Sequence, residues 1–350
     1  MKGAARPSLP VLARGTVAAG AALGAYAALR RYPPAGEETW QRTNHRGEHV
    51  TLLEGPAVTV GAVAAQVITA PSAYPLAVAG LGGVAFGVLD DLRGSGKRRG
   101  LRGHLGALAH GEVTTGTVKL AGLAAAGLGA ALLEGGDPAD VAVNAGLIAG
   151  GANLLNLFDL RPGRAIKVAT LTAALIAAGS ALSPGTGKAA AVNPPGRAAG
   201  LQAVAVPAGA ALALLPEDLS ERAMLGDAGA NALGAMLGTA AAQTLPRQAR
   251  LGLLAAIVAL TVASEKVSFT RVIEATPALR WLDMLGRRPV TLAAPVSVSP
   301  VAAGRAHAAE PVTLTRPERL AWWVRRRRPG RHRRYKAVLP SRLPSRGTSP

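Results

Sequence analysis

The chain of 350 residues contains no cysteine, few aromatic residues and little charge for its length. Aromatic residues make up 3% and charged residues 17%, whereas hydrophobic residues make up 49%. A soluble domain typically carries about a quarter charged residues. The lack of cysteine excludes a disulfide scaffold, and the hydrophobic content excludes disorder over most of the length. The composition therefore predicts a chain that lies mostly inside a lipid bilayer.

Apolar stretches long enough to cross a bilayer, roughly 17 to 25 residues each, recur along the chain with short polar breaks. Their abundant Ala and Gly residues are compatible with membrane helices, which use small residues to pack closely. We place nine spans at residues 9–29, 52–70, 73–89, 114–133, 140–157, 167–183, 199–215, 229–245 and 250–265. The predicted fold class is all-α: a polytopic transmembrane helical bundle of about nine to ten spans, with a disordered basic C-terminal tail.

Basic residues are distributed unevenly among the breaks. The breaks after the first, third and fifth spans are rich in Lys and Arg, around Arg31, Arg98 and Arg164, whereas the alternate breaks hold few. Positively charged loops stay in the cytoplasm. We therefore expect a multi-pass protein of the plasma membrane, with the N-terminus outside and the C-terminus inside.

The positive charge lies mainly after the last span. Residues 266–350 contain 18 Lys and Arg against 4 acidic residues, within a total net charge of +19. We divide the chain into a transmembrane domain (1–265), an irregular cytoplasmic segment (266–304) and a basic, disordered tail (305–350). The arginine cluster of the tail is expected to bind anionic membrane lipid. Nucleic acid is a weaker interpretation, because the tail lacks a recognisable binding fold.

Four polar segments lie at the predicted cytoplasmic ends of spans, where polar residues in an apolar chain indicate function. The first, residues 40–56, includes Asn44 and Arg46 and suits an anionic ligand. The second is the pair Asp90 and Asp91, which suits a divalent cation or proton transfer. Two adjacent acids at the C-terminal end of a helix oppose its dipole, which is unfavourable unless they have a role.

The third segment places Asn153, Asn156 and Asp159 three residues apart, so that they share one helix face. The fourth is a Gly-Asp-x-Gly turn around Asp227, which opens a helix and offers backbone N–H groups to a phosphate. Each segment also has a purely structural interpretation. These are a positive-inside anchor, solvated acids paired with arginine, an interhelical hydrogen-bond ladder and a helix cap.

Together, these four segments resemble the polyprenyl-phosphate N-acetylhexosamine-1-phosphate transferase superfamily. The order is similar: a basic loop before the second span, Asp-Asp ending the third, Asn-x-x-Asn-x-x-Asp ending the fifth, and Met-x-Gly-Asp-x-Gly before the eighth. The resemblance covers about residues 10–265. It implies an enzyme that transfers a sugar 1-phosphate from a UDP-sugar to polyprenyl phosphate, with Mg²⁺, for envelope glycan synthesis.

The resemblance also implies roles for individual residues. Asp90, Asp91 and Asp227 would be catalytic, and Asp227 and Asp159 would bind the metal. The substrates would be bound by Asn44, Arg46, Lys119, Asn153, Asn156 and Asp159.

Several positions depart from the family pattern. Leu160-Arg161-Pro162-Gly163 replaces the usual Gly-x-Asp-Gly after Asp159, and Met224 stands where the cell-wall enzyme has Phe. A His-rich loop after the ninth span is missing. These departures leave open a catalytically inactive relative that acts as a membrane scaffold or lipid-phosphate binder, and, less favoured, a transporter. Small-residue faces would permit a homodimer.

Overall fold

The computed structural model describes residues 9–70, 74–94, 100–182 and 197–289. The predicted basic tail, 305–350, lies outside these residues. The described part contains twelve α-helices: α1 (Val11–Arg31), α2 (Glu54–Thr69), α3 (Tyr74–Arg93), α4 (Gly100–Ala109), α5 (Thr115–Glu134), α6 (Pro138–Phe158), α7 (Arg164–Ala181), α8 (Arg197–Leu219), α9 (Gly226–Thr244), α10 (Arg247–Ser264), α11 (Phe269–Ala275) and α12 (Pro277–Met284).

A short 3-10 helix, Glu37–Trp40, and one hairpin connect α1 to α2. The hairpin pairs β1 (Gln41–Thr43) with β2 (His49–Thr51) in antiparallel register, with Arg42 opposite Val50. Val50 is buried. The hairpin therefore gives the first polar segment a fixed shape beside the start of α2.

The chain is an all-α polytopic transmembrane bundle, as the composition predicted. Each of the nine predicted spans coincides with a helix, namely α1 to α3 and α5 to α10. Seven of these helices are long and apolar enough to cross a membrane: α1, α3, α5, α6, α7, α8 and α10. A helix pairs its backbone N–H and C=O groups within itself, which a membrane span requires because lipid chains offer no hydrogen-bond partners. The remaining two, α2 and α9, carry the polar first turns that contain Glu54 and Asp227.

The centre of the bundle is α9, which packs against α2, α3, α6, α7 and α8. Its residues from Gly226 to Ala241 are all buried except Asp227. A side chain at Gly87 of α3 would collide with the backbone of α9 at Asp227 and Ala228. Glycine at this position lets the end of α3 approach the start of α9 closely, which brings two of the polar segments together.

The segment after α10 contains two short helices, α11 and α12, that the sequence analysis did not predict. Ser268 caps α11 by accepting a hydrogen bond from the N–H of Arg271. Arg164, at the start of α7, donates to both carboxylate oxygens of Asp283 in α12, at 2.7 and 3.1 Å. This bidentate ion pair attaches the two helices to the bundle.

Candidate functional site

Asp91 caps the central helix. Its two carboxylate oxygens accept hydrogen bonds from the backbone N–H groups of Asp227 (3.0 Å) and Ala228 (2.9 Å) at the start of α9. An acid at the C-terminal end of α3 is unfavourable for that helix, but here it faces the positive end of another helix dipole. Arg42 of the hairpin donates to the backbone carbonyl of Asp91. The hydrogen bonds of Asp91 therefore connect the hairpin, α3 and α9.

Lys119 bridges two carboxylates from different helices. Its Nζ lies 2.8 Å from Oδ2 of Asp90 and 2.5 Å from Oδ2 of Asp227. The Lys119 side chain is 11% exposed, and the Asp90 side chain is 19% exposed. Because the surroundings are largely apolar, a single ammonium between two carboxylates offsets much of their repulsion. Asp90, Asp227 and Lys119 thus form one ion cluster at the end of the bundle.

Asp159 joins this cluster from α6. It is the C-cap residue that follows Phe158, the last residue of α6, and its carboxylate accepts a hydrogen bond from the backbone N–H of Gly226. Burial raises the pKa of Asp159 well above its usual range, and the negative charges of Asp218, Asp227 and Asp91 raise this pKa further. The Gly226 hydrogen bond acts in the opposite direction. All four carboxylates of the sequence motifs therefore lie around the first turn of α9.

Asn153 and Asn156 lie on the last two turns of α6 and are both half-buried. The backbone carbonyl of Asn156 accepts a hydrogen bond from the N–H of Asp159, at 3.1 Å. The two amides are therefore on the helix that delivers Asp159.

Asn44 and Arg46 are engaged by the protein itself. Asn44 Nδ2 donates to Glu221 Oε2 at 2.8 Å, and Arg46 Nε lies 2.8 Å from Glu221 Oε1. Arg46 also donates to the backbone carbonyls of Arg288 (2.9 Å) and Pro289 (3.1 Å). Arg46 thus closes a connection between the hairpin and the segment after α12, rather than standing free for a phosphate.

Three buried acids near this end were not singled out from the sequence. Glu221 has a side chain that is 1% exposed and receives Asn44 and Arg46. Glu54 is 0% exposed, and neither of its carboxylate oxygens has a hydrogen-bond partner among the described residues. Asp218 is 2% exposed, and its Oδ2 has no hydrogen-bond partner within the part of the chain that the structure describes. The available signal for Glu54 was an ionisable residue inside the predicted span 52–70, since such residues within membrane segments often have a function.

The carboxylates fit Mg²⁺ in kind, since hard cations prefer oxygen ligands. Within the described ranges, no group of three or more His, Cys, Asp or Glu side chains is arranged to hold a metal ion. Lys119 already binds Oδ2 of both Asp90 and Asp227. A divalent ion held by Asp227 and Asp159 would therefore share the Asp227 carboxylate with Lys119 or displace the ammonium.

An apolar groove of about 230 Å³ runs between α6, α7, α9 and α10. Its lining includes Phe158, Leu260, Leu253, Leu147 and two glycines of α9, Gly234 and Gly238. Phe158, which lines one end of the groove, immediately precedes Asp159 in the chain. The groove continues from there along α6 towards the middle of the bundle.

No protein-family model matches the chain, and no curated protein matches it either. Function is therefore inferred from the chemistry of the residues at this site.

Proposed function

We propose that the protein transfers a sugar 1-phosphate from a UDP-sugar to polyprenyl phosphate, with Mg²⁺, at the cytoplasmic face of the plasma membrane, for envelope glycan synthesis. The observation that carries this proposal is the convergence of Asp90, Asp91, Asp159 and Asp227 with Lys119 around the first turn of α9. These residues come from four helices and lie up to 137 positions apart in the chain. The resemblance to the transferase superfamily supports the same function.

Phosphoryl transfer depends mainly on positioning and on neutralising phosphate charge. Asp227 and Asp159 would hold Mg²⁺, which when bound neutralises charge on the transferred phosphate. Lys119 supplies a second positive charge between α3 and α9. Asp91 uses both oxygens to hold the start of α9, so it positions Asp227. Asp90 is then the better candidate to accept a proton from the lipid phosphate.

The apolar groove supports a prenyl lipid as the acceptor. A prenyl chain is a hydrocarbon, and its transfer from water to a surface of apolar side chains is favourable. The groove beside Phe158 would hold the first prenyl units while their phosphate reaches the carboxylate cluster. Asn44, Arg46, Asn153 and Asn156 would surround the nucleotide, provided that Arg46 exchanges its contact with Glu221 for a phosphate.

The direct test is UMP release by the purified protein with Mg²⁺, polyprenyl phosphate and a panel of UDP-sugars. We expect release with at least one donor and a loss of at least about 100-fold in Asp227→Asn, because the variant removes a carboxylate that would hold the Mg²⁺ needed to neutralise the transferred phosphate. Asp140→Asn is the matched control, since Asp140 lies at the opposite end of α6. Equal rates in the wild type and Asp227→Asn would refute the proposed role of this carboxylate.

A second function has specific support. Lys119 forms ion pairs with Asp90 and Asp227, and Glu221 forms an ion pair with Arg46. Such internal pairing is expected in a relative that has lost catalysis and kept its fold. Such a protein would act as a membrane scaffold or bind lipid phosphate. Binding of polyprenyl phosphate without UMP release from any donor would favour this alternative.

A further inference from the structure

An apolar surface on α11 and α12 has no role in the proposed reaction. Six large apolar side chains of these two helices and the next residue are exposed: Val272, Leu279, Trp281, Leu282, Met284 and Leu285. Trp281 is the most exposed of them, at 68%. An exposed apolar surface of this density indicates contact with another molecule or with a membrane. We call these six residues the α11–α12 patch.

The patch is carried by a firmly attached element. On its inner side, Asp283 is 6% exposed and lies between Arg164 and Arg287, each 2.7 Å away. Phe269 of α11 stacks on Phe158 of α6, with ring centroids 5.0 Å apart. These contacts fix the orientation of α11 and α12. The patch, on the opposite side of the two helices, therefore stays exposed.

Lipid is the nearest apolar medium to the patch. α10 precedes α11, and Ile257 is its one buried residue. On the outer side of α10, Val258 and Val262 are 53% and 57% exposed, as expected of a helix apolar enough to cross a membrane. Only four residues separate the end of α10 from the start of α11. A patch this close in the chain to the end of a candidate membrane span is within reach of the bilayer surface, where Trp side chains are preferred.

The charges on the same two helices fit a lipid surface. Arg271 and Arg280 are exposed, and neither takes part in an ion pair within the part of the chain that the structure describes. Arginines beside an apolar surface attract the phosphates of anionic lipids. This combination of apolar and basic side chains is typical of helices that lie in the membrane interface.

We propose that the α11–α12 patch lies in the membrane interface, with Trp281 and Leu285 among the lipid chains and with Arg271 and Arg280 on anionic headgroups. The bilayer then helps the Arg164–Asp283 ion pair to hold α12 beside the carboxylate cluster. This contact does not depend on the transfer reaction, because none of the patch residues belongs to the cluster.

The absence of cysteine makes a direct test possible. Trp281→Cys and Leu285→Cys, each as the single cysteine, carry a spin label in nanodiscs of phosphatidylcholine and phosphatidylglycerol. Collision with oxygen, which dissolves in lipid, is compared with collision with a water-soluble nickel chelate. Val258→Cys on α10 is the lipid-facing control, and Glu38→Cys, exposed before the hairpin, is the water-facing control.

We expect both patch labels to show an oxygen-to-nickel ratio severalfold above that of Glu38→Cys and close to that of Val258→Cys. Labels as accessible to nickel as the label at Glu38 would overturn the proposal. Labels shielded from both reagents, with dipolar broadening between neighbouring proteins, would overturn it in favour of contact between two copies of the chain.

Discussion

Lys119 is the residue on which the site depends most directly. It bridges Asp90 and Asp227 from a position in α5, and all three side chains are largely shielded from water. Two carboxylates that contact the same ammonium group lie close together, and they would repel each other strongly without that cation. Under the proposed function Mg²⁺ would share these carboxylates with Lys119, whereas in an inactive relative Lys119 alone would pair with them. Substitution of Lys119 distinguishes the two.

Lys119→Met should lower the stability of the protein by about 3–5 kcal/mol in the absence of divalent ions, because it leaves buried carboxylates without their partner. Mg²⁺ should restore part of this loss, since an ion that binds only the folded state stabilises it. The measurement is the thermal unfolding midpoint in detergent, with and without Mg²⁺. If Mg²⁺ leaves the midpoint of Lys119→Met unchanged, the cluster does not bind the ion.

Arg250→Met provides the matched control. Arg250 is 12% exposed and pairs with Asp140 at 3.1 Å, at the end of α6 that lies away from the cluster. Its replacement should also destabilise the protein, but Mg²⁺ should not reverse that effect. Equal recovery of both variants would mean that Mg²⁺ acts on the protein in general.

At the scale of elements, α12 and the hairpin close over the end of the bundle. Glu48 of the hairpin pairs with Arg288 at 2.7 Å. The pKa of Glu48 is lowered, mainly by its hydrogen bond with Arg288. Burial alone would raise the pKa of Asp283, but the hydrogen bond and charge of Arg164 and the charge of Arg287 outweigh it and lower the pKa. A carboxylate with a lowered pKa stabilises the fold at neutral pH and loses that contribution as the solution becomes acidic.

Asp283→Asn should detach α12 locally. Arg164, whose side chain is 3% exposed, would lose its ionic partner, at a cost of about 3–5 kcal/mol. Hydrogen exchange of the α11 and α12 amides should then be at least about 100-fold faster, because a local opening costs correspondingly less free energy. Glu274→Gln is the control, because its pair with Arg161 spans 3.7 Å at the surface and contributes about 0–1 kcal/mol. Equal exchange in the two variants would show that Asp283 does not hold α12.

The sequence predicted the helices well and the contacts of the site only in part. Hydrophobic length alone located nine helices, of which seven are long and apolar enough to cross a membrane, since a bilayer imposes this length on each span independently. The four carboxylates were recognised from their motifs, but Glu221 was missed because its partners, Asn44 and Arg46, lie far away in the chain. α11 and α12 were also missed, because they are too short for a periodic pattern and depend on Asp283 for their attachment.

At the scale of the whole molecule, the bundle separates two polar ends. The carboxylate cluster lies at one end of α6, and Asp137, Asp140, Arg247 and Arg250 form ion pairs at the other. The unequal distribution of Lys and Arg predicts that the end with the carboxylate cluster faces the cytoplasm.

Single cysteines test this orientation, because the chain has none of its own. Asp137→Cys should react with a membrane-impermeant maleimide added to intact cells, since residue 137 lies at the predicted outer end. Glu38→Cys, before the hairpin, should react only after the membrane is permeabilised. The reverse pattern would place the carboxylate cluster outside and remove cytoplasmic UDP-sugars from consideration as substrates.

The central claim is that the phosphate next to the sugar moves with it to the lipid. The most direct measurement uses a UDP-sugar with a radioactive β-phosphate, incubated with the purified protein, Mg²⁺ and polyprenyl phosphate. We predict that the label enters the lipid fraction in the wild type and in Asp140→Asn, and not in Asp227→Asn. Label that stays in the water-soluble fraction with every donor, while polyprenyl phosphate still binds, would contradict the account and favour the inactive relative.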